Sequence, residues 1–272
     1  MRAVALLVVL AATTAQAQPG LTFEQDLPDG QSFTAYLVSY VSDGLKVHAM
    51  VAVPKAAAPA QGFAAVIANH GYVPDPRKYG IGADGINSRP GDYYRSVPEL
   101  YASRGFMVIM PDFRGHNSSE GYEQIKVQDR ENMAAIVAAY AADVSALLPH
   151  LDEIELLDLE RVFMWSHSMG GGVSMHALLD TDVVKASSFW ATMNVEQLSE
   201  QFASLDGPVM IQHAIGDASA DSQNSQDLAD ALQTIEHPVL LHIYEGSDHY
   251  FEGDMREKAA DRDAEFFSSS IE

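Results

Sequence analysis

The sequence predicts an α/β protein with one mostly parallel sheet, because short apolar runs alternate with helical patterns along most of the chain. Continuous apolar runs are typical of strands buried on both faces. Strand–helix alternation produces right-handed crossovers within a parallel sheet. The runs that carry this prediction are 63–68, 105–110, 159–165, 183–190, 208–214 and 238–244.

An antiparallel hairpin is predicted ahead of these runs. Residues 32–41 alternate apolar and polar side chains, Ser42-Asp43-Gly44 is a turn signal, and 45–53 form a second strand that ends at Pro54. The hairpin and the apolar runs together give an eight-stranded sheet. Helices are predicted on both faces of it, with no insertion large enough for a cap domain, at 93–104, 127–151, 173–179, 195–202, 219–234 and 255–267.

Composition excludes several classes of partner. The formal net charge is −22, from 16 basic and 38 acidic residues, so nucleic acid and anionic membrane surfaces would be repelled. There are no cysteines, which excludes a disulfide framework. No metal-ligand spacing is evident, and we expect neither a metal nor an organic cofactor.

The N-terminus has the pattern of a secretory signal peptide. Arg2 precedes a short apolar run, and Ala15-Gln16-Ala17 matches a cleavage site. We therefore expect residues 1–17 to be removed and residues 18–272 to form a single domain in a periplasm or outside the cell. No later apolar run looks long enough to span a bilayer, so no membrane partner is expected.

The most informative motif is a strand–turn–helix with a serine at its apex. A run of strand formers leads into Ser-His-Ser-Met-Gly at 166–170, and a helical pattern follows. Such a nucleophile elbow lifts a serine hydroxyl above the sheet edge and needs small residues two positions before and after it. Ser168 meets this requirement through Ser166 and Gly170. Ser166 fits less well, because the bulky Met164 stands two positions before it.

The general base is expected among three histidines, since nucleophile, acid and histidine follow in this order in enzymes with such an elbow. His237 precedes a strand, at the wrong edge of the sheet. His242 lies inside a strand and is expected to pack there. His249 follows the last strand, at the carboxyl edge where ligands and catalytic groups gather, and is the predicted base.

The acid is expected after the preceding strand, 209–213. Asp217 lies at the carboxyl end of that strand and is predicted to hold the tautomer of His249 and stabilise its imidazolium form. Asp221 is an alternative, although a carboxylate at the start of the next helix would also compensate the helix dipole. Asp248 is next to His249 in sequence, but neighbouring side chains in an extended loop usually diverge.

Two backbone amides are predicted to stabilise the oxyanion of a tetrahedral intermediate. One is the N–H of Met169, immediately after the nucleophile. The other is the N–H of Tyr72, in the stretch Asn-His-Gly-Tyr at 69–72, where Gly71 permits the turn that aims an amide inward. His70 comes too early in the chain for the base and is expected to be structural.

These motifs together resemble the α/β-hydrolase superfamily, and within it the branch of prolyl-oligopeptidase-type catalytic domains and dienelactone-hydrolase-like esterases. The resemblance implies an α/β-hydrolase fold with Ser168, Asp217 and His249 as a catalytic triad. It covers residues 32–267 and rests on an ordered set: His70-Gly71-Tyr72, Arg104-Gly105-Phe106, the stretch 111–121, the elbow, Gly216-Asp217 and Asp248-His249.

The chain departs from the family pattern at several points. Ser166 replaces the usual elbow glycine. Asn117 replaces a glycine after Arg-Gly-His, where asparagine tolerates a left-handed conformation. Dienelactone hydrolases proper use a cysteine nucleophile, which this chain lacks, so that activity is not carried over. Only a short stretch separates the predicted signal peptide from the first predicted strand, which leaves no room there for the propeller of prolyl oligopeptidases.

The predicted function is a secreted hydrolase of small carboxylic esters that acts through an acyl-serine intermediate. With no large lid after 189–190, short-chain or aromatic acyl groups are expected. A small exopeptidase or amidase with the same machinery is the alternative, and a non-catalytic binding protein on this scaffold is a third. The loop and helix start at 71–98 are expected to wall the pocket with Tyr72, Tyr79, Tyr93 and Tyr94.

Overall fold

The fold is built on a single nine-stranded β-sheet. The computed structural model describes residues 20–74, 76–78, 93–126, 132–193, 195–246 and 248–271. The sheet order is β1-β2-β3-β5-β4-β6-β7-β8-β9. Its strands are β1 (Thr22–Leu27), β2 (Phe33–Ser42), β3 (Leu45–Pro54), β4 (Phe63–Asn69), β5 (Met107–Asp112), β6 (Leu157–His167), β7 (Val184–Trp190), β8 (Val209–Ala214) and β9 (Val239–Tyr244).

The mostly parallel sheet and its N-terminal hairpin are confirmed. Parallel pairs join β5, β4, β6, β7, β8 and β9 in that order. Strands β2 and β3 pair antiparallel from Phe33↔Pro54 to Ser42↔Leu45, and β3 pairs antiparallel with β5. The carboxyl ends of the parallel strands therefore lie at one edge of the sheet. Ser168 follows directly after β6 at this edge, and Asp217 lies in the loop after β8.

The sheet has nine strands rather than the predicted eight, because β1 was missed. Its six residues are exposed apart from Leu27, and three of them are Glu24, Gln25 and Asp26. Strand β1 lies at the edge of the sheet and pairs antiparallel with β2, with an irregularity between Phe23 and Gln25. This strand is formed by pairing with β2 and buries only Leu27, so its sequence does not need the alternation of apolar residues by which a strand is predicted.

Helices cover both faces, as predicted. They are α1 (Val97–Ala102), α2 (Tyr122–Lys126), α3 (Met133–Leu147), α4 (Gly170–Leu178), α5 (Ser222–Thr234) and α6 (Asp254–Ser269). One core lies between the sheet and α3, α4 and α5, and the other between the sheet and α1 and α6. Strand β4 supplies both cores alternately: Ala65 and Ile67 face the first, Val66 and Ala68 the second. This explains its unbroken apolar run.

Some helix predictions needed correction. The segment Glu196–Ser204 is a 3-10 helix rather than an α-helix, and α5 begins at Ser222 rather than at 219. The expectation that no later segment could span a bilayer was wrong: among the described residues, Met133–Glu153 is long and apolar enough over 21 residues. About half of its most apolar stretch is buried inside the protein. The predicted signal peptide, Tyr79 and residues 127–131 lie outside the described residues.

The loop after β5 is held by a buried ion pair. Arg114 donates through Nη2 to Asp143 Oδ1 on α3 at 2.7 Å, and its backbone N–H donates to Asp143 Oδ2 at 2.7 Å. Asn117, three residues further on, has φ +43°. The predicted left-handed conformation of this asparagine, in place of the family's glycine, is confirmed.

A buried carboxylate ties helix α6 to the sheet. Asp263 Oδ1 accepts from Ser188 Oγ at 2.5 Å and Gln212 Nε2 at 2.7 Å; Oδ2 accepts from Tyr101 Oη at 2.5 Å and Trp190 Nε1 at 3.0 Å. Burial raises the pKa of Asp263 to about 7, although these four hydrogen bonds oppose that rise. The group therefore titrates near neutral pH in the folded protein.

Replacing Asp263 with alanine should lower the free energy of unfolding by about 3–5 kcal/mol, because four buried donors lose their acceptor. Asp263→Asn should cost less and should also remove a pH dependence. An Asp pKa raised from about 3.9 to near 7 makes the native state more stable at low pH, and this stability is lost as pH rises through 7. In urea unfolding, the free energy of unfolding of wild type should exceed that of Asp263→Asn by more at pH 5 than at pH 8.

Glu265→Gln, an exposed change on the same helix, is the matched control for this measurement. It should leave the free energy of unfolding within about 0.5 kcal/mol of wild type at both pH values. If the free energies of unfolding of wild type and Asp263→Asn differed by the same amount at pH 5 and pH 8, the raised pKa of Asp263 would be contradicted.

Candidate active site

The turn between β6 and α4 holds Ser168 in a strained conformation. Its φ is +57°, a left-handed value that costs a residue with a Cβ roughly 1–2 kcal/mol. Its N–H donates to the Trp190 carbonyl at 2.9 Å, and its carbonyl accepts from the Gly171 N–H at 2.9 Å. The backbone bonds on both sides hold the turn, and the side chain reaches the carboxyl edge of the sheet.

Glycines let neighbouring chain segments approach this turn. A Cβ on Gly170 would clash with the Asn69 carbonyl oxygen at the end of β4. A Cβ on Gly71 would clash with the Tyr94 hydroxyl and lie 2.9 Å from Ser168 Cβ. The loop after β4 therefore packs directly on the elbow, which brings Tyr72 beside Ser168.

The structure pairs the predicted acid and base. His249 Nδ1 donates to Asp217 Oδ2 at 2.6 Å. Burial would raise the pKa of Asp217, but hydrogen bonds from His213, His249 and the Ala220 N–H outweigh it and lower that pKa well below its usual range. An ionised carboxylate only accepts, so His249 carries a proton on Nδ1, and the lone pair of the neutral tautomer is on Nε2.

A second histidine, missed by the sequence analysis, also contacts this carboxylate. His213 Nε2 lies 3.3 Å from Asp217 Oδ2, and its Nδ1 lies 2.6 Å from Ser225 Oγ on α5. The other oxygen, Oδ1, accepts from the Ser219 N–H at 2.7 Å and the Ala220 N–H at 3.0 Å. Asp217 is thus held at both oxygens. Strand alternation alone could not show that His213 points toward the turn that follows it.

One cavity of about 530 Å³ brings the predicted residues together. Its described lining residues are Tyr72, Tyr94, Met133, Ser168, Met169, Met193, Ser219, His249 and Tyr250. Within this lining there is no carboxylate, lysine or arginine. A larger cavity of about 700 Å³ lies at the amino edge of the sheet, beside Asp158 and Lys185, and contains none of the predicted site residues.

The Ser168 hydroxyl contacts a methionine sulfur in this structure. Among the described residues its Oγ donates to Met193 Sδ at 3.6 Å, and no hydrogen bond joins it to His249. Rotation about one side-chain bond re-aims a serine hydroxyl, and catalytic hydrogen bonds often form only once substrate is bound. Met193 lies in the loop after β7 and carried no signal in the sequence.

The two predicted oxyanion donors flank the nucleophile. Met169 is the N-cap residue of α4, where backbone N–H groups have no intrahelical acceptor and attract negative charge. Tyr72 follows Gly71 on the loop packed against Ser168, and both Tyr72 and Met169 line the cavity. Both residues therefore lie beside Ser168 at the same cavity.

His167, inside the elbow, connects it to the loop that carries His249. Its Nε2 lies 2.7 Å from the His249 carbonyl oxygen and its Nδ1 lies 2.7 Å from the Tyr94 hydroxyl. A carbonyl only accepts, so Nε2 carries the proton. Burial lowers the pKa of His167 well below its usual value, so the ring is neutral and Nδ1 accepts from Tyr94. The sequence analysis missed this role, although strand alternation puts His167 on the face of the buried Trp165.

The other candidates lie elsewhere. Asp221 is the N-cap of α5 and accepts from the Gln223 N–H at 3.0 Å. Asp248 accepts from the Tyr250 N–H at 3.0 Å, within its own turn. His70 is buried, as expected of a structural residue, with its ring 4.4 Å from that of Phe113. The remaining alternatives are Ser166, fully buried, His237, in the turn before β9, and His242, half-buried within β9.

The predicted tyrosine wall is present in part. Tyr72 and Tyr94 line the cavity, whereas Tyr93 packs behind it, with its ring 5.0 Å from that of His167. Tyr250, which was not predicted, completes the wall. In the described ranges no group of three or more histidine and acidic side chains is placed to hold a metal ion.

Comparison with known proteins gives consistent matches. The model of a family described as "Dienelactone hydrolase family" matches residues 84–268. The "Uncharacterized peptidase YtmA" of Bacillus subtilis (strain 168) is 23% identical over an alignment of 255 residues, and the match covers 81% of this chain and 88% of that protein.

Solved structures share the fold at low sequence identity. A cold-adapted esterase from an Arctic intertidal metagenomic library has a TM-score of 0.65 at 18% identity, over 92% of this chain and 99% of that one. The acylaminoacyl peptidase of Pyrococcus horikoshii has a TM-score of 0.67 at 15% identity, over 89% of this chain but 42% of that one. This chain thus spans less than half of that peptidase. Matches at such identities establish the predicted α/β-hydrolase fold.

Proposed function

Because this chain belongs to the dienelactone hydrolase family, we propose that it is a serine hydrolase that cleaves small carboxylic esters with short-chain or aromatic acyl groups. The observation that carries the proposal is the single cavity that holds Ser168 and His249, with His249 paired to Asp217 at 2.6 Å. These residues are proposed as nucleophile, base and acid. The chain has no cysteine, so serine takes the place of the family's cysteine nucleophile.

The proposed reaction has two halves. His249 Nε2 accepts the Ser168 proton as Oγ bonds to the ester carbon, and the Met169 and Tyr72 amides stabilise the oxyanion. The intermediate collapses to an acyl-serine, and the leaving alkoxide takes the proton from His249. Water then repeats these steps on the acyl-serine, which releases the carboxylic acid and restores the Ser168 hydroxyl. The Asp217 carboxylate stabilises the imidazolium formed in each half.

The charges of the described lining support esters over free peptides as substrates. A peptide with a free amino terminus carries a cation, which needs an acidic partner when it is taken out of water. Within the described lining there is no carboxylate. A neutral acyl ester leaves no buried charge unpaired there.

Amide or peptide hydrolysis is the second candidate. Two relatives support it: one is named an uncharacterised peptidase and the other an acylaminoacyl peptidase. The described lining, which has no carboxylate, would suit an amino-blocked substrate better than one with a free amino group. A non-catalytic binding role remains the third hypothesis. For location, we propose secretion or a periplasm from the pattern of residues 1–17.

A substrate panel tests the proposal. p-Nitrophenyl esters from acetate to palmitate should be hydrolysed, with the highest kcat/KM at short chains, and faster than aminoacyl or acyl-aminoacyl p-nitroanilides. A fluorophosphonate should label Ser168, as shown by peptide mass. If the phosphonate labels Ser168 but the anilides are hydrolysed faster than the esters, the result would favour amide or peptide hydrolysis. A folded protein that neither turns over any substrate nor reacts with the phosphonate would favour the binding role.

A further inference from the structure

A second cavity, of about 200 Å³, adjoins the candidate active site. Tyr72 and Met169, whose amides are the proposed oxyanion donors, line both cavities. The remaining lining residues come from the loop after β4, the loop after β5, and helices α2 and α3: Val73, Pro74, Pro76, His116, Tyr122, Ile125, Ile136 and Tyr140.

The second cavity is lined mainly by aliphatic and aromatic side chains, with polar atoms contributed by tyrosine and histidine. Ile136 and Tyr140 from α3 are buried, and the Tyr140 ring stacks on Phe113 at 4.8 Å between centroids. No acidic side chain, lysine or arginine belongs to its described lining. Burial lowers the pKa of His116 to about 4, so its ring is neutral at neutral pH. Such walls suit an uncharged group.

The proposed chemistry determines which half of an ester each cavity receives. The leaving oxygen must take a proton from His249, so the alcohol half has to lie in the cavity that His249 lines. The carbonyl oxygen lies at the amides of Tyr72 and Met169. The second cavity shares Tyr72 and Met169 with the first, but its described lining lacks His249, and on this basis the acyl half is assigned to it.

The volume limits the size of the acyl group. An engineered apolar cavity of about 150 Å³ accommodates benzene. A space of about 200 Å³ holds one aromatic ring or a short branched chain, but not a long fatty acyl chain. We propose that this cavity is the acyl-binding subsite and that it selects compact, uncharged aryl or branched acyl groups such as benzoyl. The assignment rests on the proposed ester hydrolysis.

Changing the volume of the cavity tests the assignment. The readout is the ratio of kcat/KM for p-nitrophenyl benzoate to that for p-nitrophenyl acetate. Ile136→Phe fills the cavity and should lower this ratio roughly 10-fold, because the added ring occupies the space of the benzoyl group. Ile136→Ala enlarges the cavity and should raise the ratio for p-nitrophenyl 2-naphthoate over acetate.

Two further variants make the result interpretable. Ala138→Phe adds the same ring at an exposed position of α3 and should leave both ratios at their wild-type values. Val73→Phe narrows the cavity from the loop after β4, and should also lower the benzoate ratio if Ile136→Phe fails to fold. Thermal unfolding verifies that each variant is folded.

The possible failures are distinct. If acetate is hydrolysed and the benzoate ratio stays at the wild-type value in folded Ile136→Phe and Val73→Phe, the subsite assignment is overturned while the proposed function stands. If the wild-type protein hydrolyses no ester, the proposed function fails and the acyl assignment is overturned with it.

Discussion

Replacing Ser168 with alanine is expected to lower kcat/KM for p-nitrophenyl acetate by roughly 10⁴–10⁶-fold, because no other group can form the acyl-enzyme. The fold should persist. Alanine keeps the Cβ and the backbone bonds of the turn, and the lost hydroxyl donates only to Met193 Sδ among the described residues. Initial rates at matched protein concentration, with far-UV circular dichroism, measure both effects.

Ser166→Ala is the matched control. Ser166 lies two residues earlier, near the end of strand β6, and its Oγ is buried without a hydrogen-bond partner in the described structure. Its loss should change kcat/KM less than about 3-fold and leave phosphonate labelling intact. Equal losses in the two variants would show that the turn, and not the Ser168 hydroxyl, is what activity requires.

Replacing Asp217 with asparagine is expected to lower kcat/KM by roughly 10³–10⁴-fold. Asp217 Oδ2 accepts from His249 at 2.6 Å and lies 3.3 Å from His213 Nε2. Both carboxylate oxygens of Asp217 accept hydrogen bonds. An asparagine side chain would have only one oxygen to accept, and a donor NH2 group in place of the other. His249 would then lose either its hydrogen bond or the tautomer that leaves Nε2 unprotonated.

The pH dependence separates the role of Asp217 from that of His249. The low pKa of Asp217 keeps this carboxylate ionised in the acid range, so it should not produce the acid limb of the activity profile. Its ionised form also stabilises the fold above about pH 4, and this contribution is lost as pH falls through its folded pKa. Asp217→Asn should therefore lower stability at pH 7 as well as activity.

Asp221→Asn is the control for this prediction. Asn is as good an N-cap as Asp, so the helix should keep its cap, and kcat/KM should stay within about 2-fold of wild type. If Asp221→Asn lost activity and Asp217→Asn kept it, the alternative acid from the sequence analysis would be the correct one. Urea unfolding of both variants distinguishes lost catalysis from lost fold.

Short-range patterns in the amino-acid sequence were enough to predict the parallel strands and the strand–turn–helix around Ser168, and to place Asp217 and His249 at one edge of the sheet. Unbroken apolar runs indicate parallel strands, because a strand between two helix layers buries both faces. The small residues around Ser168 indicate a tight turn, and the Asn69 carbonyl oxygen packed against Gly170 explains why bulk is excluded there. Chain order placed Asp217 and His249 at the same sheet edge, since parallel strands end together.

Features that depend on neighbours distant in the chain emerged only once the elements were packed together. Strand β1 needs β2 beside it, and its own residues are mostly polar. His213, Met193 and the four donors around Asp263 acquire their roles from side chains that packing brings near. The second cavity beside Met169 exists because α3 and two loops meet there. Periodicity tells which face of an element is buried, whereas contacts across elements depend on how those faces pack.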